Sequence, residues 1–281
     1  MHIGTISEVW RYPVKSMGGE TLDTVMIGTG GIANDRGWAV QETETGKVAS
    51  AKLPRPYRAL LDLAASAAGD DADAVVSIAS ADGTTIRSTD PDHAAGLSDI
   101  LGRAVTLARA DVIDEVDAQY ESEWPDMDGL VISNLTLDLP VAMSTEKSSF
   151  VDLAALHLVS TASLAALAAL VPESSVDVRR FRPNFVVDTG TVEGFVDTDW
   201  VGRELAIGDD VVIRISDNAT RCVMTTLAQG ELERDRGVLQ ALATNNQQEF
   251  GGLGTSACLG VYAEVVTPGS VRRGDGVRAV G

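Results

Sequence analysis

Cysteine, histidine, lysine and long apolar runs are all scarce in this chain, and each scarcity removes a class of protein. Two cysteines among 281 residues cannot build a disulfide framework, and one bridge adds little to a chain this long. Both therefore read as free thiols in a reducing compartment. The three histidines, His2, His93 and His157, stand far apart with no ligand spacing, which argues against a multi-histidine zinc centre. No apolar stretch approaches the roughly 18–20 residues of a bilayer-spanning helix; Leu164 to Val171 is too short, and Pro172 ends it. The N-terminus enters a strand-like pattern at once, without a basic segment followed by an apolar one. A cytoplasmic location with no membrane partner is expected. Positive charge is short as well: a net charge of −19 repels phosphates over most of the surface and argues against a nucleic-acid partner.

The composition that remains, 44% hydrophobic and 22% charged, is that of a soluble globular protein large enough for one big domain or two ordinary ones. Most of the cations are arginines, whose planar fork suits bidentate contact with phosphate.

Short β-branched or alternating runs fill the first third: Ile3 to Arg11, Thr21 to Ile27, Gly37 to Gln41, Ala74 to Ala79 and Val105 to Ala108. Asp82-Gly83 between two such runs marks a hairpin, and a short helix fits Asp92 to Leu101. Asp111 to Asp128 is acidic, lacks apolar periodicity and contains Pro125, which suggests a surface excursion or an interdomain connection. Farther on, Ser160 to Ser163 offer N-caps for an alanine-leucine helix ending near Leu170. Strands are expected at Val176 to Val187 (interrupted by Pro183), Glu204 to Ile207, Val211 to Ile215, Ala257 to Val266 and Val271 to Ala279, with a helix over Asp235 to Ala243. The balance is β-rich α+β and favours packed barrels over a doubly wound sheet. Domains are expected at 1–115 and 116–281.

Several clusters carry possible chemistry, each with an ordinary alternative. Tyr12-Pro13-Val14-Lys15-Ser16 ends a strand with a cation and a hydroxyl, which can hold a phosphate or carboxylate or form a solvated turn. Asp35 and Arg36 either pair locally or serve separate partners; as a surface pair they would add little stability. The start of the helix at Thr161 and Ser163 offers free amides to an anion, although plain capping explains the same residues. In Phe181-Arg182-Pro183-Asn184-Phe185, polar residues alternate with apolar ones on what reads as a buried strand, and a buried arginine needs an anion. His157, between two leucines, reads as a packed residue. Cys222 follows Arg221, and a guanidinium beside a thiol favours the thiolate, the form that binds thiophilic metals. Cys258 has apolar neighbours and reads as core.

Together these segments resemble the MOSC family, with a first third similar to the β-barrel domain that precedes it in some members. Tyr12 to Ser16, Asp35 to Trp38, Ser160 to Leu164, Phe181 to Asn184, Asp199-Trp200 with Ile207-Gly208, and Thr220 to Cys222 with Thr225-Thr226 carry the likeness. The two-domain arrangement is similar to that of the mitochondrial amidoxime reducing component and its bacterial relatives, which bind the molybdenum cofactor (a molybdopterin). The resemblance implies Cys222 as the metal ligand. It also implies Lys15, Ser16, Arg36, Thr161, Ser163, Arg182, Asn184 and Arg221 around the cofactor, with Asn184 near the reacting centre. The activity implied is reduction of N-hydroxylated or N-oxide small molecules by electrons from a separate ferredoxin, flavodoxin or reductase. Many relatives carry a second cysteine three residues before the ligand; Ala219 stands there in this chain. Without a four-cysteine motif, no iron–sulfur cluster is expected. A non-catalytic cofactor carrier or sulfuration-related protein is the main alternative, and a metal-free cysteine enzyme using His157 as base is the third.

Overall fold

A computed structural model describes residues 1–71, 73–112, 149–250 and 254–280, together with the backbone of the strands Gln119–Pro125 and Ile132–Pro140. Seven strands close into a barrel. In spatial order they are Leu156–Ser160, Phe185–Asp188, His2–Arg11, Gly276–Ala279, Glu204–Ile207, Val211–Thr220 and Thr255–Thr267, which pairs back to the first. Every pairing is antiparallel except Leu156–Ser160 with Phe185–Asp188. That parallel pair needs a crossover, and the helix Thr161–Leu170 supplies it.

The barrel draws on both ends of the chain, since His2–Arg11 pairs with Phe185–Asp188 on one side and Gly276–Ala279 on the other. Alternation along these strands sends Ile6, Leu158, Phe185, Val187, Leu205, Ile213 and Val261 into one core. The outward set, Val159, Val186 and Leu259, is covered by Leu167 of the crossover helix and by Val238 and Leu242 of the helix Gly237–Asn245. A second core gathers Val14, Met17, Val40, Leu60, Ile78 and Leu97. It sits between the pair Trp38–Glu42 with Val105–Arg109, the three-stranded sheet Ala64–Ala67, Val76–Ala79 and Thr85–Arg87, and the helix His93–Leu101. The architecture is thus β-rich α+β, with four α-helices among the described residues.

Local signals in the sequence translate well. Ser160 caps its helix by accepting from Ser163 N at 3.0 Å. Gly83, at φ 88°, turns the hairpin joining Val76–Ala79 to Thr85–Arg87. The helix expected from Asp92 starts at His93, and the one expected from Asp235 runs Gly237–Asn245. Much of the acidic segment from Asp111 to Asp128 lies outside the described residues; the part described, Gln119–Pro125, is a strand paired with Ile132–Pro140.

The break expected at Pro183 takes in the whole first half of the strand expected over Val176 to Val187: Val178–Arg180 forms a 3-10 turn, Arg182 takes the left-handed conformation at φ 57°, and the strand begins only at Phe185. Asp177 starts the turn by accepting from Arg179 N at 2.9 Å. Pro183 then prevents its predecessor from continuing a helix. Thr21 to Ile27 and Val271 to Ala279 are each corrected to two strands, Glu20–Leu22 with Thr24–Gly28 and Gly269–Arg272 with Gly276–Ala279.

Gly260, in the middle of the strand Thr255–Thr267, has φ 79°, and a Cβ there would strike the Leu158 carbonyl and come within 2.6 Å of His157 Nε2. Gly260→Ala is expected to cost roughly 2–4 kcal/mol through backbone strain and overpacking, measured by urea unfolding. An unchanged midpoint and slope would show that the barrel wall yields at this point.

Candidate functional site

The chain leaves the barrel at Tyr12 and turns sharply, with Lys15 N bonded to Trp38 O at 2.8 Å and Ser16 at φ 68°. Ser16 Oγ accepts from Ala51 N at 3.0 Å, so this hydroxyl holds the loop at Ala51. Lys15 is buried; its Nζ donates to Phe150 O at 2.9 Å and to Asp152 Oδ1 at 2.5 Å. The other Asp152 oxygen receives Lys52 Nζ at 2.9 Å. Burial pushes the Lys15 ammonium down to about 8, Asp152 opposing and Lys52 reinforcing the shift.

Asp35 and Arg36 are no surface pair. Asp35 is 4% exposed, accepts from Tyr12 N at 2.7 Å through Oδ1, and receives both Arg36 and Asn184 Nδ2 (3.0 Å) on Oδ2. Arg36 also donates to Arg182 O at 3.1 Å. Arg182 in turn reaches the Met17 carbonyl. Both guanidiniums lie against the Tyr12 ring, at 4.8 Å for Arg36 and 4.3 Å for Arg182, in cation–π contact. Burial, then the nearby Arg36 charge, push Arg182 down to about 10. Tyr12 Oη is buried with no hydrogen-bond partner among the described residues, and burial pushes the phenol well above its ordinary range.

Asn184 is consumed by the scaffold. Its side chain accepts from His157 N at 3.0 Å and donates to Asp35 and, at 3.4 Å, to Trp10 O. It ties two barrel strands to the Asp35 loop. His157 is buried, with Nε2 donating to Leu259 O at 3.3 Å. Burial, with Arg221 nearby, holds the imidazole well below its ordinary value and therefore neutral.

Cys222 is half-buried and stands between the strand Val211–Thr220 and the 3-10 turn Val223–Thr226. Its carbonyl accepts from Thr225 N at 3.2 Å and Thr225 Oγ1 at 2.9 Å. Arg221 turns inward to the carbonyls of Ala219 (3.1 Å) and Phe181 (2.9 Å) and to Tyr262 Oη (3.4 Å). Val223 and Leu227 pack on Ala51 and Leu61, which docks the turn against the first third of the chain. Cys258 is buried, and burial pushes its thiol up to about 11, as suits a core residue. No group of three or more His, Cys, Asp or Glu among the described residues could hold a metal ion.

Two expected members stand apart from Asn184. Thr161 and Ser163 follow the far end of the strand Leu156–Ser160, while His157, near its beginning, bonds to Asn184. Three residues of strand, roughly 10 Å, separate the two levels. At the helix start Asp197 Oδ1 accepts from Ser160 N at 3.1 Å and Thr161 Oγ1 accepts from Thr189 N at 3.2 Å, while Ser163 Oγ and Asp197 Oδ2 are buried without a hydrogen-bond partner among the described residues. A shallow depression lined by Thr5, Asp23, Thr24, Asp188, Arg272 and Arg273 lies at that far level, apart from Cys222. Lys15, Ser16, Arg36, Arg182, Asn184 and Arg221 do interlock around the loops that meet near the Cys222 turn. Lys52, Asp152, Tyr12 and Arg180 join them unforeseen. Only Tyr12 and Arg180 stood beside recognised motifs; Lys52 and Asp152 meet Lys15 through tertiary structure alone.

Asp197 generates a pH prediction. Burial raises its folded value from 3.8 to about 6, so the folded state holds the proton more tightly than the unfolded chain does. The stabilisation is complete below 3.8 and is lost as pH rises to about 6. Across that window the wild type should lose on the order of 3 kcal/mol relative to Asp197→Asn, measured by urea unfolding at a series of pH values. Parallel profiles for the two proteins would contradict it.

Residues 3–122 match the MOSC N-terminal beta barrel domain, and residues 145–278 match the MOSC domain. Mitochondrial amidoxime reducing component 2 of Bos taurus is 26% identical over 292 residues, spanning 98% of this chain and 83% of its own. Among solved structures, the YUAD protein from Bacillus subtilis covers 98% of this chain and 93% of its own at 11% identity and a TM-score of 0.43. YiiM from Escherichia coli covers 46% of this chain and 55% of its own at 16% identity and a TM-score of 0.31. These two structural likenesses are too weak to carry weight. No helix among the described residues is long and apolar enough to cross a membrane.

Proposed function

We propose that this chain, which belongs to the MOSC family and joins that family's N-terminal barrel domain to a MOSC domain, is a molybdenum cofactor-dependent oxidoreductase acting on N-hydroxylated or N-oxide small molecules. The observation that carries the reading is the half-buried Cys222 thiol on a turn packed on Ala51 beside Lys52 and tied through Arg221 to Phe181 beside Arg182. The low-identity match to an amidoxime reducing component supports the reaction class.

The residues present fit such a group. Among the described residues, Lys15, Lys52, Arg36 and Arg182 gather with the carboxylates of Asp152 and Asp35, a cation-rich set that suits an anionic arm. A phosphate carries roughly −1.5 to −2 at neutral pH. Like-charged guanidiniums held against one buried ring are costly without an anion nearby. Cys222 offers one soft thiolate, so a thiophilic metal would take its remaining ligands from its own cofactor.

When bound, the molybdenum cofactor supplies the two-electron redox chemistry. Cys222 fixes the metal, while Lys15, Lys52, Arg36 and Arg182 neutralise the phosphate. Asn184 acts as a positioning residue, through Asp35 and the strand ends it joins. In the net reaction the N–O bond breaks and its oxygen leaves as water, consuming two protons and two electrons. A separate donor protein, a ferredoxin, flavodoxin or reductase, supplies the electrons. His157 has no part as a base, because it is buried, neutral and bonded to a carbonyl.

Cys222→Ser is expected to remain folded and to lose at least about tenfold of its benzamidoxime reduction with a reduced artificial donor, as loss of a metal ligand requires. Molybdenum and oxidised-pterin fluorescence should be present in the wild type. Unchanged turnover in Cys222→Ser would end the assignment. Cofactor present without turnover in the wild type would favour a carrier.

A further inference from the structure

Arg180 is 2% exposed and carries a guanidinium into the interior. A buried charge persists only where its donors find acceptors. Those of Arg180 find main-chain carbonyls: Nε donates to Ser175 O at 3.0 Å, Nη1 to Thr225 O at 3.3 Å and to Leu227 O at 3.2 Å, and Nη2 to Glu233 O at 2.7 Å. Three of these four carbonyls belong to the chain that follows Cys222. The neighbouring Arg179 is different, being exposed and folded back onto Asp177 at 2.8 Å.

The Thr225 and Leu227 carbonyls lie at the end of the turn Val223–Thr226, which begins directly after the thiol. Thr225 holds the Cys222 carbonyl from within the turn. Arg180 holds the same turn from behind. Among the described residues, all four of its side-chain hydrogen bonds go to main-chain carbonyls.

We propose that Arg180 is the positioning residue for Cys222: its planar fork clamps the chain after the thiol, so that the sulfur is presented in one fixed orientation. The proposal rests on the reading of Cys222 as the metal-binding thiolate, but the clamp acts on the thiol whether or not metal is present. Lysine cannot replace it, since a single ammonium cannot reach carbonyls bound separately by Nε, Nη1 and Nη2.

The test compares wild type, Arg180→Met, Arg180→Lys and the matched surface control Arg179→Met. Hydrogen exchange of the 223–233 amides and the rate of Cys222 alkylation by iodoacetamide are measured beside global stability in urea. A local clamp predicts that in Arg180→Met the 223–233 amides exchange, and Cys222 alkylates, at least about tenfold faster, while barrel-strand amides change far less. Arg180→Lys should be intermediate and Arg179→Met should match the wild type. Uniform acceleration that tracks the fall in global stability, or an unchanged alkylation rate, would overturn the proposal. If Arg180→Met does not fold, Arg180→Lys decides by the same two readouts. Molybdenum content measured in parallel separates the two ideas: local loosening in a protein that never contains molybdenum keeps the clamp and rejects the metal assignment.

Discussion

Guanidinium groups bonded to main-chain carbonyls hold this site together. Arg36 binds the Arg182 carbonyl, Arg182 the Met17 carbonyl, Arg221 the Phe181 carbonyl, and Arg180 the carbonyls around the Cys222 turn. Each hydrogen bond to a charged group contributes about 1.5–3 kcal/mol, against a burial cost of several kcal/mol per charge. Arg180 and Arg221 make several such bonds each, and Arg182 adds a cation–π contact with Tyr12 to its one carbonyl. The result is a lattice of loops whose backbone is fixed by arginine rather than by sheet or helix.

The barrel sets where these loops leave. Val211–Thr220 runs in the same sense as Leu156–Ser160 and ends toward its far end, whereas the strand His2–Arg11 ends at the level where Leu156–Ser160 and Phe185–Asp188 begin. Asn184 and Asp35 lock that level by hydrogen bonds to His157 N and Tyr12 N. From it emerge the Tyr12–Met17 turn and the 181–184 segment. Arg180, Arg221 and the packing of Val223 and Leu227 on Ala51 and Leu61 tie the Cys222 turn to them. Lys15, Asp152 and Lys52 then join the first third of the chain to the segment entering the barrel.

Features encoded within a few residues were legible in advance. Ser160 as a cap, Asp82-Gly83 as a turn, the helix before Gly102 and the buried Cys258 all depend on short-range chemistry. The family resemblance, carried by motifs around Lys15, Arg36, Arg182 and Cys222, identified the fold. Periodicity misled at Arg182, where alternation suggested a strand but Pro183 and a left-handed backbone make a turn. The strand Leu156–Ser160 carries Thr161 and Ser163 away from Asn184, toward the level at which Val211–Thr220 ends. Asp152 and Lys52 gave no signal, because their partner Lys15 is brought to them only by the folded chain.

The central claim is that one protein sulfur, that of Cys222, ligates molybdenum. X-ray absorption at the molybdenum edge, on protein purified from cells that make the cofactor, tests it most directly. The account predicts that the wild-type sulfur shell contains one scatterer more than that of Cys222→Ser. Identical sulfur shells in the two proteins, with molybdenum bound in both, would contradict it.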